Sequence, residues 1–422
     1  MKILFLSHRT PFPPDKGDKI RSYHLLSQLA RRHTLSLAYW VDDPRDMEHA
    51  DELNRICRGR LFYLPLSACG AKARALWSLA RGNSFSEGHY YSTGFQSAID
   101  ALVKEEKPDL IYVFSSPMAL YVEKFRGIPT IIDFVDVDSD KWGQLAEFVS
   151  APLSMLYRLE QRRLARFEFR VSAWSRSNLF VSQAEADLFR QLGGQGEIVS
   201  LPNGVEMGLR RLPSREEYGQ VLKAKRTNRS SPIKISFVGT MNYYPNIDAV
   251  LYFAQDIFPL IRHKYNQAIF EIVGRFPPKS VRRLNGLNGV RVLGEVQDVR
   301  SLLIHADVSV APLRIARGVQ NKILEAIAIG IPVVATPQAV RGLEVREGDE
   351  ILIGDSPEQF ALQVLRLLDD VHLRNQITKR AWNRVNQLYR WDVVGAKLDG
   401  LIAGMETDTA ARPRLRDMPI RY

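Results

Sequence analysis

The segment from Arg314 to Thr336, RIARGVQNKILEAIAIGIPVVAT, sets a loop containing Gly318 ahead of a helix that its pattern starts near Asn321. A helix N-terminus presents free backbone N–H groups and partial positive charge, which suit a diphosphate. Lys322 adds a full charge at that end. Glu325 stands three positions on and near the same face, where a carboxylate can accept two hydrogen bonds from vicinal ribose hydroxyls. Gly330, Ile331 and Pro332 then break the helix before a buried strand. The competing reading is a buried helix with ordinary surface charges.

Three other segments carry groups of chemical interest. TIIDFVDVDSDKW places Asp133, Asp136, Asp138 and Asp140 at and beyond the C-terminal end of a strand, where open α/β sheets build sites. Each aspartate is equally explained by a cap or loop role. SHRTPFPPDKGDKIRS follows the first strand and surrounds Gly17 with Lys16, Lys19 and Arg21. Between Leu153 and Arg176, the residues Leu156, Leu159, Leu164, Phe167, Val171 and Trp174 share roughly 140° of a helical wheel, flanked by Arg158, Arg162, Arg163, Arg166 and Arg170. Such a basic amphipathic helix lies on anionic lipid or packs on its own domain. Ser182 and Glu185 fit a capping box.

The elements that must hold these residues alternate as short apolar runs and longer amphipathic segments, the pattern of parallel sheets with helical crossovers. Strand candidates in the first half are KILFLS, TLSLAYW, RLFYL, DLIYVFS, TIIDF, NLFVS and IVSLP. In the second half they are IKISFVG, IFEIVG, VRVLG, DVSVAP, PVVAT and ILIG. Two successive βα series predict two doubly wound α/β domains, with an eight-stranded barrel as the fold-level competitor. The expected division is 1–203, a linker over 204–231, a second domain over 232–390, a last helix over 391–405 that returns to the first domain, and a mobile tail over 406–422.

Length agrees, since 422 residues exceed one ordinary core. The formal charge of +11 favours an anionic partner, whether nucleotide diphosphate, acidic lipid or nucleic acid. Cys57 and Cys69 have neither metal-ligand spacing nor a disulfide framework around them, which fits a reducing cytoplasm. The start, MKILFLSHRTPF, is too short for a signal-peptide core and reads as a strand. The most apolar later stretch, 323–336, falls short of about 18 apolar residues and contains Glu325, so any membrane contact is peripheral.

Five segments taken together resemble the donor domain of family-4 (group 1) glycosyltransferases in order and spacing. They are FVGTMNYYPNIDAV (237–250), EIVGR (271–275), VLGEVQDV (292–299), HADVSVAPLR (305–314) and the 314–336 segment. In that family a glutamate and Gly-Phe precede a second glutamate opening EAMA-x-G-x-PVV. Glu325 matches the second glutamate, and Gly330, Pro332, Val333 and Val334 match the glycine, proline and valines after it. LPNGVE (201–206) resembles the interdomain entry motif. The likeness spans almost the whole chain and is greatest to sugar transferases associated with exopolysaccharide and exosortase (PEP-CTERM) gene systems.

The resemblance implies a GT-B fold, two doubly wound Rossmann-like domains facing a cleft. It implies a nucleotide-sugar donor held by the C-terminal domain, a saccharide or lipid-linked acceptor on the N-terminal domain, and transfer with retained configuration. No metal or cofactor is implied beyond the nucleotide sugar as substrate, and no nucleic acid. Glu325 would hold the ribose, the turn from Gly294 to Val296 the base, and Gly239 would let the chain approach the phosphates. Gly17 resembles the family's glycine-rich loop, on the wall facing phosphate and acceptor.

Two departures mark this chain. Arg317 stands where the family's first glutamate is usual, and FVGTMNYYPN has no cation where arginine and lysine are common. Arg314, Arg317 and Lys322, with Arg275, are therefore expected to form a rearranged diphosphate clamp; Arg317 otherwise meets a donor carboxylate or faces solvent. Asp136 is the candidate acidic group near the reacting sugar, where the family often has histidine. DVD as the metal motif of single-Rossmann transferases is set aside because two domains are expected. A nicotinamide oxidoreductase would need G-x-G-x-x-G after a strand, which is missing. A nucleotide-sugar epimerase of the same shape and a non-enzymatic basic membrane binder remain as alternatives. The expected location is cytoplasmic, peripheral on the inner face of the plasma membrane.

Overall fold

The computed structural model describes residues 1–207 and 232–410, with side chains as far as 405 in the last helix. Most of the expected linker and the tail beyond 410 lie outside the described residues. The chain forms two compact units, one of Met1–Pro202 with the chain from Val394 onward, the other of Asn203–Val393.

The first unit holds β1 (Lys2–Ser7), β2 (Thr34–Val41), β3 (Leu61–Pro65), β4 (Leu110–Phe114), β5 (Thr130–Val135), β6 (Ser177–Phe180) and β7 (Ile198–Ser200). They pair in parallel in the order β3-β2-β1-β4-β5-β6-β7, with Ile3 opposite both Leu35 and Leu110. Ile3 to Leu6 are at most 1% exposed, because helices cover both faces of a parallel sheet and the strand must be apolar throughout. Leu6, Val113, Ile132, Phe180 and Phe189 belong to the core packed on it.

The second unit repeats the plan with β8 (Lys234–Val238), β9 (Ile269–Val273), β10 (Val290–Gly294), β11 (Val308–Ala311), β12 (Val333–Ala335) and β13 (Leu352–Ile353). Their order is β10-β9-β8-β11-β12-β13. Each sheet reverses its winding beside its first strand, between β1 and β4 and between β8 and β11. The loops there diverge and leave a crevice at the C-terminal strand ends. All thirteen expected strands are present, and the barrel is excluded.

The last helix, Trp391–Ala410, begins in the second unit and continues in the first, beyond the expected end at 405. Val394, Leu398, Ile402 and Met405 are buried. Asp399 accepts from Gln28 Nε2 at 3.1 Å and pairs with Arg32 at 3.3 Å.

Three local expectations need correction. Arg21 and Lys19 do not surround Gly17 as free cations. Arg21 is fully buried against Asp133, with Nε and Nη2 donating at 2.9 and 3.0 Å, and Lys19 is buried against Asp46. The capping box at Ser182 is half made: Ser182 caps the Glu185 N–H, but the Glu185 carboxylate accepts instead from the Val137 N–H at 2.8 Å. The basic helix, Leu153–Ser172, divides along its length. Leu164, Phe167 and Val171 are buried, whereas Leu156 and Leu159, expected on the same stripe, are exposed.

Candidate functional site

At the β8–β11 crevice of the second unit, the helix Asn321–Ala328 starts from Gln320, which makes no side-chain cap. Its first-turn N–H groups therefore keep no partner from the Gln320 side chain. Its other end closes on Gly330 at φ +80, a left-handed conformation that glycine adopts without strain. The Ile331 N–H then returns to the Ala326 carbonyl at 2.9 Å.

Lys322 points from the first turn towards the helix Tyr244–Tyr252. Its Nζ donates to Asn246 Oδ1 and lies 4.3 Å from the centre of the Phe237 ring. Burial pushes this ammonium down to about 7, against the opposing pull of Glu325. Arg314 reaches the same helix two residues along: its Nε donates to Asp248 at 2.9 Å and its guanidinium stacks 4.7 Å from the Tyr252 ring. Arg275, after β9, pairs with Glu295 at 2.8 Å. Arg317 is half-buried in the loop, and its carbonyl accepts from Gln320 Nε2 at 2.8 Å. Lys322 and Arg314 are thus gathered on one helix, while Arg275 is held by an acid on the β10 loop.

Gly239, the glycine expected to admit phosphate, is tightly packed, and so is Gly274 beside it. A Cβ on Gly239 would stand 2.8 Å from Asn246 Nδ2, and one on Gly274 would stand 1.8 Å from the Gly239 carbonyl oxygen. The ends of β8 and β9 approach each other too closely for side chains. The Gly274 N–H donates to the Gly294 carbonyl at 2.8 Å, so β10 joins the same edge. Gly294 and Gly318 take φ +69 and +59, and Val296 is half-buried beyond the β10 turn.

Glu325 is half-buried one turn inside its helix. Burial raises its pKa, while Arg300 and Lys322 hold it down. Arg300 was not expected in this role; it donates to Glu206 at 3.2 Å and lines a cavity of about 710 Å³ with Val205, Ser301, Ile329 and Trp391. Its only sequence signal is its place just after VLGEVQD.

In the first unit, Gly17 opens the helix Gly17–Ala30 behind an uncapped Lys16. Asp136 lies at the end of β5, after Val135 at φ +68, a strained conformation for a β-branched residue. One Asp136 oxygen meets Lys141 Nζ at 2.8 Å; the other is buried without a hydrogen-bond partner. Lys141 also holds Asp138 at 2.9 Å. Glu185 and Glu168 accept from the N–H groups of Val137 and Ser139, and burial raises these carboxyls to about 7 and about 8. Among the described residues, no group of three or more His, Cys, Asp or Glu is arranged to hold a metal ion.

Residues 232–370 match the family model described as glycosyl transferases group 1. No curated protein sequence matches the chain. Sucrose-phosphate synthase from Thermosynechococcus elongatus is 17% identical and superposes with a TM-score of 0.68, covering 97% of this chain and 100% of that one. Anabaena HepE, solved in complex with UDP-glucose, is 15% identical with a TM-score of 0.65, covering 96% and 100%. WaaG, a glycosyltransferase involved in lipopolysaccharide biosynthesis, is 16% identical with a TM-score of 0.63, covering 94% and 99%. The fold is that of GT-B glycosyltransferases.

Proposed function

We propose that this chain is a metal-independent, retaining glycosyltransferase. It moves a sugar from a nucleotide-sugar donor to a saccharide or lipid-linked acceptor in exopolysaccharide biosynthesis. The observation that carries the reading is the helix Asn321–Ala328 at the β8–β11 crevice, with Lys322 at its uncapped start and Glu325 one turn inside. The group 1 match over the same unit supports it.

In this reading Glu325 holds the ribose, the Gly294–Val296 turn the base, and Lys322, Arg314, Arg317 and Arg275 the diphosphate, with Gly239 and Gly318 giving backbone access. Arg275 and Arg314 must exchange Glu295 and Asp248 for phosphate, whereas Lys322 exchanges only a neutral amide. The first unit takes the acceptor near Gly17 and Asp136. The protein works in the cytoplasm, in peripheral contact with the inner face of the plasma membrane; no helix among the described residues is long and apolar enough to cross one.

The test is a thermal-shift screen of nucleotide sugars, UDP-glucose among them, against the free nucleotides. A donor at 100 times its dissociation constant stabilises by roughly 2.7 kcal/mol. Stabilisation by one nucleotide sugar, lost in Glu325→Ala, is the expected result. No response to any nucleotide or nucleotide sugar would overturn the assignment, and a sugar interconverted without an acceptor would make the protein an epimerase.

A further inference from the structure

The helices Asp138–Glu147 and Leu153–Ser172 form a hairpin, with the Trp142 ring 5.0 Å from Tyr157 and Gly143 packed against Gln161. Beyond those contacts, towards the turn, Leu145, Phe148, Leu153, Met155 and Leu156 are 41% to 69% exposed, and Leu159, level with the contacts, is 37% exposed. A monomer rarely concentrates so much apolar surface at one tip without a partner for it. Arg163 ties the hairpin to the helix Ala68–Ala80 through the Leu79 carbonyl, and one turn from that tie Leu76 and Trp77 are also exposed.

The arginines of the second helix fall into two sets. Arg163 is spent on the Leu79 and Asn83 carbonyls, and Arg170 on Glu87 and Glu123. Arg158, Arg162 and Arg166 are exposed, and no carboxylate among the described residues pairs with them. Met155, Leu159, Arg162 and Arg166 stand at i, i+4, i+7 and i+11, one stripe of the helix.

We infer that this hairpin tip, with the Leu76–Trp77 corner beside it, is a surface that seats on an anionic phospholipid bilayer. The apolar tip enters the boundary between headgroups and acyl chains, and the unpaired arginines one and two turns behind reach the lipid phosphates. Charge decides against the other occupants. A second copy docked by two-fold symmetry would set the arginine stripe against itself, and nucleic acid would leave the tip in water. The inference names the face used in the membrane contact proposed above and does not depend on the transfer reaction.

The test is co-sedimentation of the full chain with phosphatidylcholine vesicles, with and without phosphatidylglycerol. The parent is expected to bind only the anionic vesicles, and more weakly as salt rises. Arg162→Glu with Arg166→Glu is expected to lower that binding about 25-fold or more, each cation near such a surface being worth about fivefold. Phe148→Ser with Met155→Ser is expected to weaken it while leaving the melting temperature unchanged. Equal binding by parent and Phe148→Ser/Met155→Ser would overturn the inference. So would a parent that ignores anionic vesicles, or one whose self-association disappears in that variant.

Discussion

Lys322 is a cation whose pKa burial lowers to about 7, with an amide and a phenyl ring for company. If a diphosphate arrives there, the ammonium is favoured again and the protein takes up a proton from solution. Calorimetry of UDP binding near pH 7, in buffers of different ionisation enthalpy, should show that uptake, and affinity should fall as pH rises above about 7. Lys322→Met should bind weakly with no buffer dependence; an unchanged proton count in the variant would remove Lys322 from the phosphate site. Glu325→Ala should weaken donor binding by about 1.5 to 3 kcal/mol through lost charge-assisted hydrogen bonds, and calorimetry giving parental affinity would free Glu325 from the ribose role. Arg317 is tested kinetically. Arg317→Lys should lower turnover roughly tenfold with little change in the donor KM, because the planar fork grips phosphate most as the leaving group gains charge. Parental kinetics in Arg317→Glu would exclude both a phosphate and a sugar-carboxylate contact. The helix start that carries Lys322 and Glu325 was legible because it has a local pattern. Arg21 was not: its partner Asp133 lies 112 residues away, and nothing near Arg21 distinguishes a buried arginine from a surface one.

Elements were read more completely than side chains, and for a physical reason. A strand buried on both faces must be apolar along its length, so the central strands, such as β4, β9 and β11, announce themselves in four or five residues, while the edge strands β3, β7 and β10 are only partly buried. The basic helix shows the limit of that logic, since a helical wheel averages over length and its stripe runs from core at Val171 to solvent at Leu156. The wheel also hides Glu168, which is fully buried on that helix and pushed up to about 8 by burial, with Asp138 adding to the shift. The folded chain therefore keeps a proton that the unfolded chain releases near the ordinary 4.5, so stability should fall as pH rises from about 4.5 to about 8. Glu168→Gln retains an oxygen for the Ser139 N–H and carries no charge. Its melting temperature should fall less than the parent's across that window, a difference in which titration elsewhere cancels. Parallel melting curves for the two proteins would show that Glu168 is not the group responsible.

At the scale of the whole molecule, the two βα series in the sequence become two sheets wound alike, and the second is one continuous stretch, Asn203–Val393. The first is not continuous, because its surface beside the helix Gly17–Ala30 is completed by the chain after Val394. Gln28 and Arg32 find Asp399 there, and Gly395 packs on Gln28. This seam reverses the order in which the protein can be finished as it leaves the ribosome. The second unit has all its residues once Val393 has emerged, while Gln28 waits for a partner encoded 371 residues later. At typical elongation rates that wait is roughly 20 to 70 s. Through that interval the nascent first unit shows the side on which Gly395 and Asp399 will later dock, so the half made first is the half completed last.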